Sequence, residues 1–195
     1  MRLGSVDISA YAPISRLCAL ITETGGPRHR MTLRNREQLS EEMTARYFED
    51  FAVGQTFGSG RRRIEAERIK SFAAEFDPQP FHLDEAAARG TLFGGLVASG
   101  WHTAAITMRL VLESNMRMAG GTLGLGAEVR WSMPVRPGDR LHVQGEVIEA
   151  AASRSRPDRG KVSTRCETLN DRGEVVQLLI ARLLVPRRST AEPVR

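Results

Sequence analysis

The chain has 195 residues, 41% of them hydrophobic, enough for one well-packed core and cramped for two domains. The net charge of +5 could suggest nucleic acid, but lysine and arginine (28) only modestly exceed aspartate and glutamate (23) and are spread along the whole chain, which argues against a phosphate-tracking surface. The only cysteines, Cys18 and Cys166, exclude a disulfide framework and a thiol-only zinc site, and no stretch approaches the roughly twenty apolar residues that span a bilayer, so a cytoplasmic protein away from membranes is expected.

Residues 1–43 read as an N-terminal extension, loosely packed or disordered. The apolar patch from Ile14 to Ile21 is broken by Ser15, Arg16 and Cys18 and lacks a small-residue cleavage site. Thr22 to Glu42 joins Gly25-Gly26-Pro27 to many charges without a sustained apolar period, and the acids Asp7, Glu23, Glu37, Glu41 and Glu42 count against a transit peptide. From Tyr47 the sequence becomes rich in aromatic and apolar residues. The compact domain is expected over 44–187, with Met43 as a candidate start of translation and 188–195 as a C-terminal tail.

Within the domain, Gln55 to Ile64 reads as a strand bent or weakened by Gly58-Ser59-Gly60. Ile69, Phe72, Ala73 and Phe76 recur at helical spacing over Glu65 to Phe76, and Pro78 ends that helix at Asp77. Pro78 and Pro80 are expected to keep Asp77 to Phe81 extended, and Asp84-Glu85 to open a short helix through Ala88. After Gly94-Gly95, the longest helical pattern runs from Leu96 to Met118. It is apolar on most faces, so it reads as buried, with Trp101, Met108 and Met116 as core or tunnel wall. Four strands follow, Thr122 to Trp131, Asp139 to Ala151, Lys161 to Thr168 and Glu174 to Val185. Turns are marked at Pro137-Gly138-Asp139, Pro157-Asp158-Arg159-Gly160 and Asn170-Asp171-Arg172-Gly173. This order implies an α+β fold, a five-stranded antiparallel sheet curled around one long helix. The exposed sheet edge calls for pairing with another copy, so a homodimer or a multiple of one is expected.

The run Phe76-Asp77-Pro78-Gln79-Pro80-Phe81-His82-Leu83-Asp84, followed by Phe93-Gly94-Gly95-Leu96-Val97-Ala98-Ser99-Gly100, resembles the MaoC-like dehydratases and R-specific enoyl-CoA hydratases. These share an Asp-x-Asn-Pro-x-His motif ahead of the long helix of a hotdog fold. Met133-Pro134-Val135-Arg136-Pro137-Gly138-Asp139 resembles their later sheet, and the likeness covers about residue 46 to residue 186. The resemblance implies a hydro-lyase that adds water across, or removes it to form, the 2,3 double bond of an acyl-CoA or acyl-carrier-protein thioester, without metal or other cofactor. Three departures stand out: Gln79 in place of Asn, Glu75-Phe76 in place of small residues, and Phe93 in place of His.

The residues support the same chemistry. Hydration of a conjugated thioester needs a base for water, an acid for the α carbon, and donors for the enolate oxygen. Asp77 and His82, spaced by a proline-stiffened loop, are candidates for the proton transfers. Gly94 and Gly95, ahead of the long helix, are candidates for backbone donors at its positive end. Gln79 and Ser99 join them as substrate-binding candidates. His102 is either a core histidine or, as the resemblance implies, a neighbour of the pair; His142 has no assigned role. Arg61, Arg62, Arg63, Arg109 and Arg136 are candidates for a phosphate-rich carrier arm or solvated surface. A hotdog thioesterase and a non-catalytic acyl-thioester-binding domain are the rival readings.

Overall fold

The computed structural model describes residues 45–188; the N-terminal extension and the residues of the tail after Arg188 lie outside the described residues. The strands form one antiparallel sheet. In chain order they are β1 (Thr56–Gly58), β2 (Arg62–Arg63), β3 (Leu123–Trp131), β4 (Arg140–Ala152), β5 (Arg159–Leu169) and β6 (Val175–Pro186). The spatial order is β1-β4-β5-β6-β3, with β2 also on β4.

The strand expected over Gln55 to Ile64 is thus two short pieces on one edge of β4, Thr56 opposite Glu146 and Arg62 opposite Leu141. Between them the Ser59 hydroxyl accepts from the Val143 N–H at 2.9 Å, replacing a ladder bond where the chain leaves the pleat. The β4–β5 and β5–β6 hairpins follow the turn signals, and Gly138 and Gly173 take φ of 90° and 75°, a region that favours glycine.

Among the described residues four α-helices accompany the sheet: α1 (Ala66–Phe76), α2 (Pro80–Leu83), α3 (Glu85–Arg89) and α4 (Gly100–Glu113). α1 buries Ile69 and Ala73, four apart on one face, and stops at Asp77 as Pro78 requires. The segment after Asp77 is extended only to Gln79. Pro80 then occupies the first position of a one-turn helix, where its fixed φ suits the helix and its missing N–H is not needed. α3 is capped by Asp84, whose Oδ1 accepts from the Ala87 N–H at 2.7 Å.

The long helix is shorter than expected at both ends. Leu96 to Ala98 form a buried strap, with the Val97 N–H bonded to the Phe81 carbonyl and the Ala98 N–H to the Val135 carbonyl, so these amides are spent outside the helix. Ser99 is the N-cap and accepts from the Trp101 N–H at 3.2 Å. At the other end the Ser114 hydroxyl donates to the Val111 carbonyl at 2.6 Å, competing with the helical bond there.

Ile106 and Leu110 of α4 pack with Leu141, Val143 and Val147 of β4 and Val162 and Cys166 of β5. Each such side chain, fully removed from water, contributes about 1.5–3 kcal/mol. The helix is only half buried, however: Trp101, Met108 and Leu112 remain 62%, 43% and 42% exposed, correcting the expectation of a buried rod. Among the described residues no helix is long and apolar enough to cross a membrane.

Candidate active site

The loop that Pro78 opens and Pro80 closes turns Asp77 and His82 toward each other. His82, on α2, is 5% exposed, and its Nδ1 lies 2.8 Å from the Val97 carbonyl oxygen. A carbonyl only accepts, so Nδ1 donates to it and Nε2 is the nitrogen turned toward Asp77. That Nε2 lies 3.4 Å from Asp77 Oδ2. Asp77 Oδ1 accepts from the Gln79 side-chain amide at 2.7 Å. The Ser99 hydroxyl, then the Gln79 amide, then the His82 ring hold the Asp77 carboxyl below the ordinary carboxylate range, against the opposing effect of burial.

Gln79 and Ser99 therefore touch the pair directly. Ser99 caps α4 through its hydroxyl oxygen and, in the same place, lowers the pKa of the Asp77 carboxyl. A cavity of about 500 Å³ brings together Asp77, Gln79, His82, Ser99 and Gly100, with Trp101 and Trp131 among its aromatic walls.

Gly94 and Gly95 sit elsewhere. They lie in the loop before the buried strap, and the Gly94 N–H is committed to the Thr91 carbonyl at 3.0 Å. Gly94 has φ of 65°, so it turns the chain, and Gly95 passes beside the Arg136 guanidinium. The residue at the helix start that lines the cavity is Gly100, whose amide, at the first helical position, has no partner within the helix. The available signal was Ser99, an N-cap residue at the head of the apolar run.

His102 faces a second cavity of about 400 Å³, with Arg62, Arg63, Arg68 and Arg109 around it. Its ring stacks on Phe72 at 4.7 Å, and burial together with Arg68 holds its pKa below the ordinary histidine value. It is not in the cavity of the Asp77–His82 pair. Two of the arginines there are tied to one carboxylate, Glu113, at 2.8 Å from Arg62 and 2.6 Å from Arg109. Arg136 donates to the Phe93 carbonyl at 2.7 Å and so clasps the glycine loop, while Arg61 pairs with Asp171. His142, on β4, is half buried with Nδ1 unpartnered, and burial likewise lowers its pKa. Cys166 is buried in the core, which pushes its thiol pKa up and leaves it no role at the site. Among the described residues no group of three or more His, Cys, Asp and Glu side chains is placed to hold a metal ion.

Residues 50–169 match the model of the MaoC-like domain. The 3-hydroxybutyryl-CoA dehydratase of Methylorubrum extorquens is 31% identical over 154 residues, 78% of this chain and 92% of that protein. A crystal structure of a MaoC-like dehydratase from Rhodospirillum rubrum is 57% identical, with a TM-score of 0.72 over 74% of this chain and 99% of that one. The R-hydratase of Pseudomonas aeruginosa is 27% identical, with a TM-score of 0.59 over 76% of this chain and 95% of that one.

Proposed function

Because the chain belongs to the MaoC-like dehydratase family, we propose that it is a hydro-lyase acting on the 2,3 double bond of an acyl thioester, with Asp77 and His82 as its acid–base pair. The observation that carries this reading is the facing of His82 Nε2 and Asp77 Oδ2 at 3.4 Å. With Nδ1 committed to the Val97 carbonyl, Nε2 and the carboxylate are the two groups free to exchange protons with one water between them.

In hydration, that water attacks the β carbon as one of its protons passes to the pair. The electrons of the double bond shift to the thioester carbonyl, whose oxygen becomes an enolate. The Gly100 amide, at the first position and positive end of α4, stabilises this oxygen. The proton then returns from the pair to the α carbon, which restores both residues and leaves a 3-hydroxyacyl thioester. Dehydration follows the same path backwards. The carrier is CoA or acyl carrier protein.

The catalytic unit is a homodimer. The support is the exposed edge of β3 together with the apolar face that Trp101, Met108 and Leu112 leave uncovered on α4.

The test is incubation with a panel of 2-enoyl and 3-hydroxyacyl thioesters, following the absorbance of the conjugated thioester and the release of free thiol together. Loss of conjugation without thiol is expected. Thiol release would assign the site to hydrolysis, and no change with any member of the panel would leave a binding domain.

A further inference from the structure

Trp131 ends β3 and lies against the start of α4: a Cβ placed on Gly100 would stand 2.7 Å from the indole ring. The ring is therefore a wall of the cavity beside the amide assigned to the thioester carbonyl. On its other side it meets Trp101 edge to face, the centroids 5.2 Å apart.

What sets Trp131 apart from the other aromatic walls is its anchor. The indole N–H donates to Gln177 Oε1 at 2.9 Å. Gln177 is fully buried, and its amide nitrogen donates to Thr107 Oγ1 at 2.9 Å. The Thr107 hydroxyl has one proton, which goes to the Thr103 carbonyl at 3.0 Å. Thr168 Oγ1, 2.6 Å away, must then donate to it. Thr107 thus gives one bond and accepts two, and Gln177 is held from both ends of its amide. Swinging the indole aside would leave the Gln177 oxygen buried without a donor, a costly state inside a core.

We propose that Trp131, locked in place through Gln177, Thr107 and Thr168, is a fixed wall that sorts acyl thioesters by the size of the acyl group. The inference rests on the proposed function for the identity of the ligand. An acyl group with its carbonyl at Gly100 and its α and β carbons at the Asp77–His82 pair runs beside the indole, and extra methylenes meet a ring that does not yield. A mobile aromatic gate would admit them.

The experiment compares wild type, Trp131→Ala and Gln177→Met. It reads kcat/KM for octenoyl-CoA against crotonyl-CoA, and the equilibrium binding of octanoyl-CoA against butyryl-CoA. Trp131→Ala is expected to raise both long-to-short ratios by roughly tenfold or more, the discrimination that one or two methylenes carry in an apolar pocket. Gln177→Met keeps the bulk but removes the acceptor, so it moves the ratios the same way by less. A general loss of packing would lower both substrates together and leave the ratios unchanged.

A folded Trp131→Ala with wild-type ratios overturns the wall. A shift in Trp131→Ala without any in Gln177→Met overturns the anchor. Should Trp131→Ala fail to fold, Trp131→Leu makes the same comparison. If wild type hydrates no enoyl thioester, the proposed reaction fails while the binding ratios still decide the wall.

Discussion

Asp77 Oδ2 and His82 Nε2 face each other at 3.4 Å, and the second imidazole nitrogen is already bonded to the Val97 carbonyl, so the ring is held in one orientation by the strap that precedes α4. In the proposed reaction each member depends on the other to activate water. Asp77→Asn and His82→Ala are each expected to lower kcat/KM for hydration by about a hundredfold or more. Circular dichroism should show both variants folded. Near-normal turnover in either would remove that residue from the chemistry.

The two glycine positions separate turning from catalysis. Gly94→Ala meets no neighbouring atom but puts a side chain at φ of 65°, so it should cost about 1–2 kcal/mol of stability and leave turnover of the folded protein within a few fold. Gly100→Ala drives a methyl against the Trp131 ring at the helix start. A displacement there of even an ångström is expected to cost on the order of a hundredfold in turnover. Equal effects of the two changes on turnover would mean that the carbonyl does not bind at Gly100.

The sheet was legible because its strands are apolar runs, alternating in β3 and β4 and nearly continuous in β6, set between strong turn signals, and the observed spans of β3 to β6 start and end within two residues of those expected. Asp77 and His82 were legible because the prolines around them restrict the backbone locally. The helix start was not. Leu96, Val97 and Ala98 are as apolar as a helix interior, and only their long-range bonds to Phe81 and Val135 keep them extended. Gln177 and Thr107 were hidden for a related reason: a polar residue on an apolar strand or helix shows no sign in sequence of the partner that satisfies it.

Asp77 also sets a pH dependence. Ser99, Gln79 and His82 lower its carboxyl pKa, so activity that needs the carboxylate should persist below the ordinary aspartate range and fall only as pH drops through the lowered value. Stability from this ionisation has the same sign: it is present above the unfolded-state pKa and lost as pH falls through the folded one. Ser99→Ala removes the largest lowering contact, so the acid limb of kcat/KM should move to higher pH. It should also cost about 1 kcal/mol for the lost cap. An unmoved acid limb in this variant would show that the limb belongs to another group.

On β5, Arg165 and Glu167 are both buried and pair at 2.5 Å, while Arg165 Nε and Glu167 Oε2 have no further partner. Such a pair is a poor source of stability but expensive to break by halves. Glu167→Leu alone should destabilise by about 3–5 kcal/mol, because it leaves a guanidinium buried and uncompensated. The double change Arg165→Met with Glu167→Leu should recover most of that loss. Urea midpoints of the two variants decide the matter: a double variant no more stable than the single one would mean that the charges contribute net stability.

The assembly prediction follows from what one protomer leaves open. Among the described residues β3 pairs only with β6, so its far edge has no strand partner there, and Leu123 and Leu125 on it are exposed. The face of α4 that carries Met108 and Leu112 is uncovered as well. A second copy related by a two-fold axis would extend the sheet edge to edge and set the two helix faces together, closing both openings with one self-complementary contact. The wild-type protein is therefore expected to sediment as a dimer or a multiple of one at assay concentration. Met108→Glu places a charge in the middle of the helix face while leaving Asp77, His82 and Gly100 untouched. It should shift the species toward monomer, because a buried charge without a partner costs several kcal/mol. Wild-type protein that is monomeric and fully active, or a Met108→Glu variant that dimerises as tightly as wild type, would move the interface away from this face.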